Sequence, residues 1–319
     1  MIFFDKYMKY KRKYLELRGG EPNNNKNNDK CNNKINGHAE CIQKNDKNSI
    51  IKLLDLYDNT TTTNKYFVIL YGPPASGKTH ARSIAIRKVR EIEKEREKER
   101  EKERKTELED KELCNTFIDT GLDDITYKMC YDNGNVGDEM KNITKEFTNS
   151  QRQGQEQEQN YNKEQIESLV DETGNIYINN RASDLSDLLI AFAVSLGKNI
   201  FFEVSTPQEK YIKEQIDRLV YYKYIPIIIY PFVGDVNDLY LRSQNRGKEE
   251  GRWLKCEGDY GLNKNMIRMY IEYYNIINYM KEKNIDNINY IYTKENKDKD
   301  EEELKYENVS FNVKCKYNN

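Results

Sequence analysis

The stretch 66–79 constrains this chain more than any other. Six apolar residues, YFVILY, run directly into Gly72-Pro73-Pro74-Ala75-Ser76-Gly77-Lys78-Thr79. An apolar run with no polar interruption is covered on both faces, which is the pattern of a strand inside a parallel sheet and not of a solvated edge. A glycine and two prolines, Gly72-Pro73-Pro74, then end the strand at once. A helix is expected from Lys78.

The same alternation continues along the chain. Short apolar stretches at 116–119, 199–205, 225–230 and 288–292 read as strands. Between and around them, 183–196 (closed by Gly197), 208–222, 236–246 and 263–283 read as helices, with Gly247 to Gly251 as a turn. Nearly all-apolar strands alternating with helices predict an α/β fold, and with the strand–loop–helix around Gly72–Thr79 one of the P-loop NTPase type. About five mostly parallel strands would be flanked by helices on both faces.

Composition qualifies this picture locally. Of 319 residues 37% are hydrophobic and 33% charged, an apolar fraction below that of ordinary globular chains. The deficit is concentrated in low-complexity segments. Residues 90–112 alternate acids and bases with opposite charges at i, i+4 and no apolar seam, so they predict a solvated extension of the helix that starts at Lys78. Residues 132–165, rich in Asn, Gln and Glu, read as a second insertion. The expected plan is an amphipathic helix at 1–20, a disordered linker at 21–48, the main domain at 49–293 with its two insertions, and a charged tail at 294–319. In the first segment Phe3, Tyr7, Tyr10, Tyr14 and Leu17 share one helical stripe. That stripe suits either docking to a protein partner or packing on the chain's own domain.

Several function classes are disfavoured. A net charge of −2 counts against a dedicated nucleic-acid binder. Apolar runs at 66–71, 188–204 and 225–233 fall short of the ~18–20 residues that cross a bilayer, and the N-terminus has no signal-peptide core. A cytoplasmic protein is expected. Six scattered cysteines (Cys31, Cys41, Cys114, Cys130, Cys256, Cys315) form no C-x-x-C pair, so free thiols are expected. With only His38 and His80 in the chain, histidine catalysis has little to draw on.

The segment 72–79 matches G-x-x-x-x-G-K-[ST] between a buried strand and a helix, the context that this motif requires. The glycines turn backbone N–H groups inward, where they and the helix N-terminus bind phosphate. The binding segment is therefore Gly72, Pro73, Pro74, Ala75, Ser76, Gly77, Lys78 and Thr79. Lys78 would reach the β- and γ-phosphates and Thr79 would hold Mg²⁺, with ATP as the nucleotide. No Asn-Lys-x-Asp follows the later strands, which disfavours a GTPase. The strand at 199–205 carries the single carboxylate Glu203, without the Asp-Glu pair of motor ATPases.

Over roughly 64–283, apart from the insertions, the sequence resembles the zeta-toxin-like group of small-molecule kinases. The resemblance rests on the loop at 72–79, the strand Ile200-Phe201-Phe202-Glu203-Val204-Ser205-Thr206, and the run Ser243-x-x-Arg246-x-x-x-x-Gly251-Arg252. It implies acceptor binding by Glu203 and Ser205, with Val204 where the group has glycine. It also implies a base from an Asp-x-Asp, here Asp119 followed by Asp123 or Asp124, and an arginine lid formed by Arg246 and Arg252. Trp253 would either cover a ring of the ligand or close a core. The Asn/Lys tracts and the N-terminal Lys/Tyr string resemble in style proteins of AT-rich large DNA viruses, which would place the protein in the host cytoplasm.

The expected activity is transfer of the γ-phosphoryl group of ATP–Mg²⁺ to a hydroxyl of a nucleotide sugar, nucleoside or nucleotide. Two alternatives stand beside it. One is a nucleotide-binding interaction protein without transfer, and the other is a polynucleotide 5′-kinase.

Overall fold

The computed structural model describes residues 64–99, 113, 116–121, 125–127, 130–131, 134–151, 161–178, 182–293 and 310–317. The expected helix at 1–20, the linker at 21–48, Asp123, Asp124 and residues 100–112 lie outside them. In chain order the elements are β1 (Lys65–Tyr71), α1 (Lys78–Glu99), β2 (Phe117–Asp119), a small hairpin of β3 (Cys130–Tyr131) and β4 (Gly134–Asn135), α2 (Val136–Gln151) and α3 (Lys163–Ile178). There follow α4 (Ala182–Leu196), β5 (Asn199–Val204), α5 (Glu209–Tyr221), β6 (Tyr224–Phe232), α6 (Val236–Glu250), α7 (Leu262–Glu282) and β7 (Ile288–Thr293).

Five strands form one parallel sheet in the order β2-β5-β1-β6-β7. The most apolar strand takes the centre, and Tyr66 to Tyr71 are each 0% exposed. Successive side chains of a strand point to opposite faces. Phe67, Ile69 and Tyr71 therefore enter one core with α4, α5 and α7, while Tyr66, Val68 and Leu70 enter another beneath α1. From α1, Ala81, Ile84, Ala85 and Val89 supply the facing stripe. At the opposite end of the sheet Asn199 is fully buried, and its Oδ1 accepts from Tyr66 N–H at 2.8 Å while its Nδ2 donates to Thr116 Oγ1 at 2.8 Å. One amide thus ties β1, β5 and the start of β2 together.

A third core lies beside the sheet, where α2, α3, α6 and the start of α7 bury Tyr161, Leu169, Leu239, Trp253 and Met266. This corrects two expectations. Residues 136–151 and 163–178, partly assigned to a low-complexity insertion, are helical. Val136, Met140, Ile143 and Phe147 recur at helical spacing within the polar composition and pack inward. The supposed turn after Arg246 is also helix, since α6 continues to Glu250 and is closed by Gly251 at φ 75°.

The segment 310–317 lies along the start of α6. Asn312 N–H donates to Gly234 O at 2.8 Å, and Val236 N–H donates to Asn312 O at 2.9 Å. This return brings Cys315 to Cys256 as a disulfide with Cα atoms 6.1 Å apart, where free thiols were expected. Fifty-nine residues separate the two, so no local spacing announces the pair. Among the described residues no helix is long and apolar enough to cross a membrane.

Gly251 is held in the left-handed region, and a Cβ there would lie 2.4 Å from the backbone of Met140 in α2. Gly251→Ala combines strain at positive φ with a clash against backbone, and is expected to cost about 2–4 kcal/mol. Chemical denaturation of the two chains measures it.

Candidate functional site

At the carboxyl end of β1 the chain turns away from the sheet while staying bonded to it. Gly72 N–H donates to Val204 O at 3.2 Å, continuing the ladder with β5 by one residue. Pro73 O then accepts from Ser76 N–H at 3.3 Å. Ala75 and Gly77 adopt φ of 62° and 101°. Gly77 O receives His80 N–H and Ala81 N–H at 3.0 and 3.2 Å, which opens α1. Lys78 is 4% exposed, and its Nζ donates to Gly72 O and Pro73 O at 2.9 Å each. The ammonium is thereby folded back over the loop whose residues were expected to bind phosphate.

A parallel sheet of five strands, with this loop joining its central strand to a helix, settles the architecture. The chain has the P-loop NTPase fold.

Two features of the loop fit a phosphate. Among the described residues Ser76 Oγ is buried with no hydrogen-bond partner, although a buried hydroxyl ordinarily has one. The N-terminus of α1 also carries no acidic residue in its first turn, leaving its partial positive charge uncompensated there. Thr79 is exposed, so its hydroxyl is accessible to Mg²⁺. Among the described residues no cluster of three His, Cys, Asp or Glu side chains forms a metal site. A cation there would draw its remaining ligands from phosphate oxygens and water, as Mg²⁺ commonly does.

Beside the loop, β5 and β2 deliver the expected carboxylates, and an unforeseen arginine joins them. Leu70 and Glu203 are partners in the β1–β5 register, so the glutamate stands next to the loop. Glu203 Oε1 lies 3.8 Å from Lys78 Nζ, and Oε2 lies 3.3 Å from Arg82 Nη2. Arg82 also pairs with Asp119 through Nη1, and its guanidinium sits 5.9 Å from the centre of the Phe201 ring. The second oxygen of Asp119 accepts Gly121 N–H at 2.9 Å. Two cations and two carboxylates thus share a largely buried site, where each pays for the desolvation of its neighbour. Arg82 was legible in principle. It falls four residues after Lys78, next to Ala81, on the stripe of α1 that is otherwise apolar.

The other candidates divide. Ser205 is half-buried just beyond β5. Arg242, on α6, donates from Nη1 to Ala75 O at 3.3 Å and so touches the loop. Arg246 instead pairs with Glu250 and lies 6.0 Å above the Tyr127 ring. Arg252 is 8% exposed. Trp253 closes the third core, with Nε1–H donating to Thr144 Oγ1 at 3.1 Å and its ring edge-on to Tyr161.

Tyr71, immediately before the loop, donates its phenol to Glu272 Oε2 at 2.6 Å. Burial first, and then this carboxylate, push the phenol well above the ordinary tyrosine range. The same oxygen of Glu272 accepts Glu209 N–H at 3.1 Å, so one side chain of α7 caps α5 and anchors the end of β1. On the other flank the His80 and Tyr292 rings are 5.2 Å apart. Burial raises the Tyr292 phenol, and the charge of Arg242 opposes that rise.

No family model matches the chain. A relative, uncharacterized protein L872 of Acanthamoeba polyphaga mimivirus, is 38% identical over 247 residues, covering 76% of this chain and 66% of its own length. The chain thus spans slightly less than two thirds of that relative. Among solved structures, a chain from the PezAT chromosomal toxin–antitoxin system of Streptococcus pneumoniae is similar at 14% identity, covering 74% of this chain and 71% of its own, with a TM-score of 0.40.

Ala75 is the loop residue whose side chain conflicts with its backbone. Ala75→Gly removes a left-handed strain of about 1–2 kcal/mol at an entropic cost of somewhat less, so a net gain of up to about 1 kcal/mol is expected in thermal unfolding.

Proposed function

We propose that this protein is an ATP-dependent phosphotransferase of the zeta-toxin-like kind, acting on a hydroxyl of a small molecule such as a nucleotide sugar, nucleoside or nucleotide. The observation that carries the reading is the loop itself. Lys78 is held over it by two carbonyls, a buried Ser76 hydroxyl has no hydrogen-bond partner among the described residues, and Glu203 and Asp119 stand at the neighbouring strand ends.

In this reading the loop amides, Ser76 and Lys78 bind the β- and γ-phosphates. Thr79 supplies a hydroxyl to Mg²⁺, which when bound neutralises phosphate charge. The acceptor hydroxyl oxygen attacks the γ-phosphorus, the bond from that phosphorus to the bridging oxygen breaks, and ADP leaves. The hydroxyl proton passes to a carboxylate. Both oxygens of Asp119 are already engaged, one by Arg82 and one by Gly121. Asp119 therefore suits the orienting position, and the base is assigned to Asp123 or Asp124. Glu203 and Ser205 contribute to the acceptor side. Of the arginines, Arg242 touches the loop and Arg246 follows one helical turn later, so these two would stabilise charge on the transferring group. Arg252, being buried, would support the lid from within. The site of action is the cytoplasm, that of the host if the gene is viral.

The engagement of Asp119 also favours a second reading, a nucleotide-binding interaction protein that performs no transfer. Incubation with γ-labelled ATP, Mg²⁺ and a mixed pool of nucleosides, nucleotides and nucleotide sugars separates the two. Label in one acceptor, lost in Lys78→Ala, is the expected result. Retained ATP binding with no label in any acceptor would favour the binding module.

A further inference from the structure

Arg82 is a buried charge that phosphoryl transfer, as laid out, leaves without a task. Its surroundings suggest one. Glu203 stands between two cations, with Oε2 at 3.3 Å from Arg82 Nη2 and Oε1 at 3.8 Å from Lys78 Nζ. The first is a hydrogen-bonded contact and the second is loose. Lys78 meanwhile donates to two neutral carbonyls at 2.9 Å. An ammonium bonded to carbonyls passes readily to a phosphate, whereas one bonded to a carboxylate must first break a charge-assisted bond in a site with little water.

The position of Arg82 is itself fixed from three sides. It leaves α1 one turn beyond Lys78, Asp119 at the end of β2 pairs with Nη1, and the Phe201 ring lies alongside. A guanidinium so anchored draws Glu203 toward β2, away from the loop. We propose that Arg82 is a positioning residue for nucleotide binding, holding the Glu203 carboxylate off Lys78 so that the ammonium is available to the β- and γ-phosphates. This inference rests on the phosphate-binding reading of the loop and concerns binding alone, so it does not depend on the acceptor.

The test is equilibrium titration of the full chain with a fluorescent ATP analogue in Mg²⁺, on wild type, Arg82→Met, Arg82→Lys, Glu203→Gln and the Arg82→Met/Glu203→Gln double variant. Arg82→Met leaves Glu203 to close on Lys78, and an affinity about tenfold weaker is expected, corresponding to about 1.4 kcal/mol. Arg82→Lys recovers part of that loss. Glu203→Gln binds more tightly than wild type, because the competitor for Lys78 is gone. The double variant regains most of the affinity, which a purely structural role for Arg82 would not allow.

Wild-type affinity in Arg82→Met would overturn the proposal, and so would a double variant as weak as Arg82→Met alone. Should Arg82→Met fail to fold, Glu203→Gln still decides, since no gain in affinity over wild type contradicts the competition. A wild type that binds no better than Lys78→Ala removes the phosphate reading itself, and the proposal falls with it.

Discussion

Burial of β1 at the centre of the sheet is the constraint from which the rest follows. A strand with no charged side chain from Tyr66 to Tyr71 can be stabilised only by cores on both faces and strands on both edges. Once β5 and β6 flank it, the register is set, and Leu70 lies opposite Glu203. The loop is then bound to leave the sheet beside the end of β5. Lys78 and Glu203 meet because the hydrophobic core demands that neighbourhood, and the local chemistry inherits it.

Charge is the second organising element. Four ionised side chains lie together at the strand ends, contributed by α1, β5 and β2. None would be tolerated there alone, since an isolated charge removed from water is costly. Their mutual pairing offsets that cost and also makes the cluster sensitive to any new anion. In the proposed function a triphosphate entering the loop would compete for Lys78, which is why the partners of that ammonium would matter to binding. Farther out, Glu272 caps α5 while holding Tyr71, and the segment 310–317 braces the start of α6 through Asn312 and the Cys256–Cys315 bridge. These contacts fix β1, which leads into the loop, and α6, whose Arg242 reaches it.

Much of this was legible in the sequence because the signals are periodic and local. YFVILY, NIFFEV and the run 225–230 announce buried strands, and the glycine-rich turn before Lys78 announces the loop. What was hidden depends on contacts between distant residues. Val136, Met140 and Phe147 keep a helical stripe that is diluted by Asn, Lys and Glu between them, so composition masked α2. Gly247 reads as a helix breaker, yet it stays within α6. The partners of Arg82 depend on the sheet, because β2 and β5 bring Asp119 and Glu203 to it. The disulfide needed the return of 310–317, which no spacing reveals. Arg242 likewise gained its contact with Ala75 only from the packing of α6 over the loop.

The claim on which everything else depends is that the loop at 72–79 binds a nucleoside triphosphate through Lys78. Calorimetric titration of the full chain with ATP in Mg²⁺, beside Lys78→Ala, tests it most directly. Saturable binding at one site per chain, lost or strongly weakened in Lys78→Ala, is the result that the structure predicts. Heats no larger than dilution for the wild-type chain, or binding unchanged by removal of the ammonium, would contradict it.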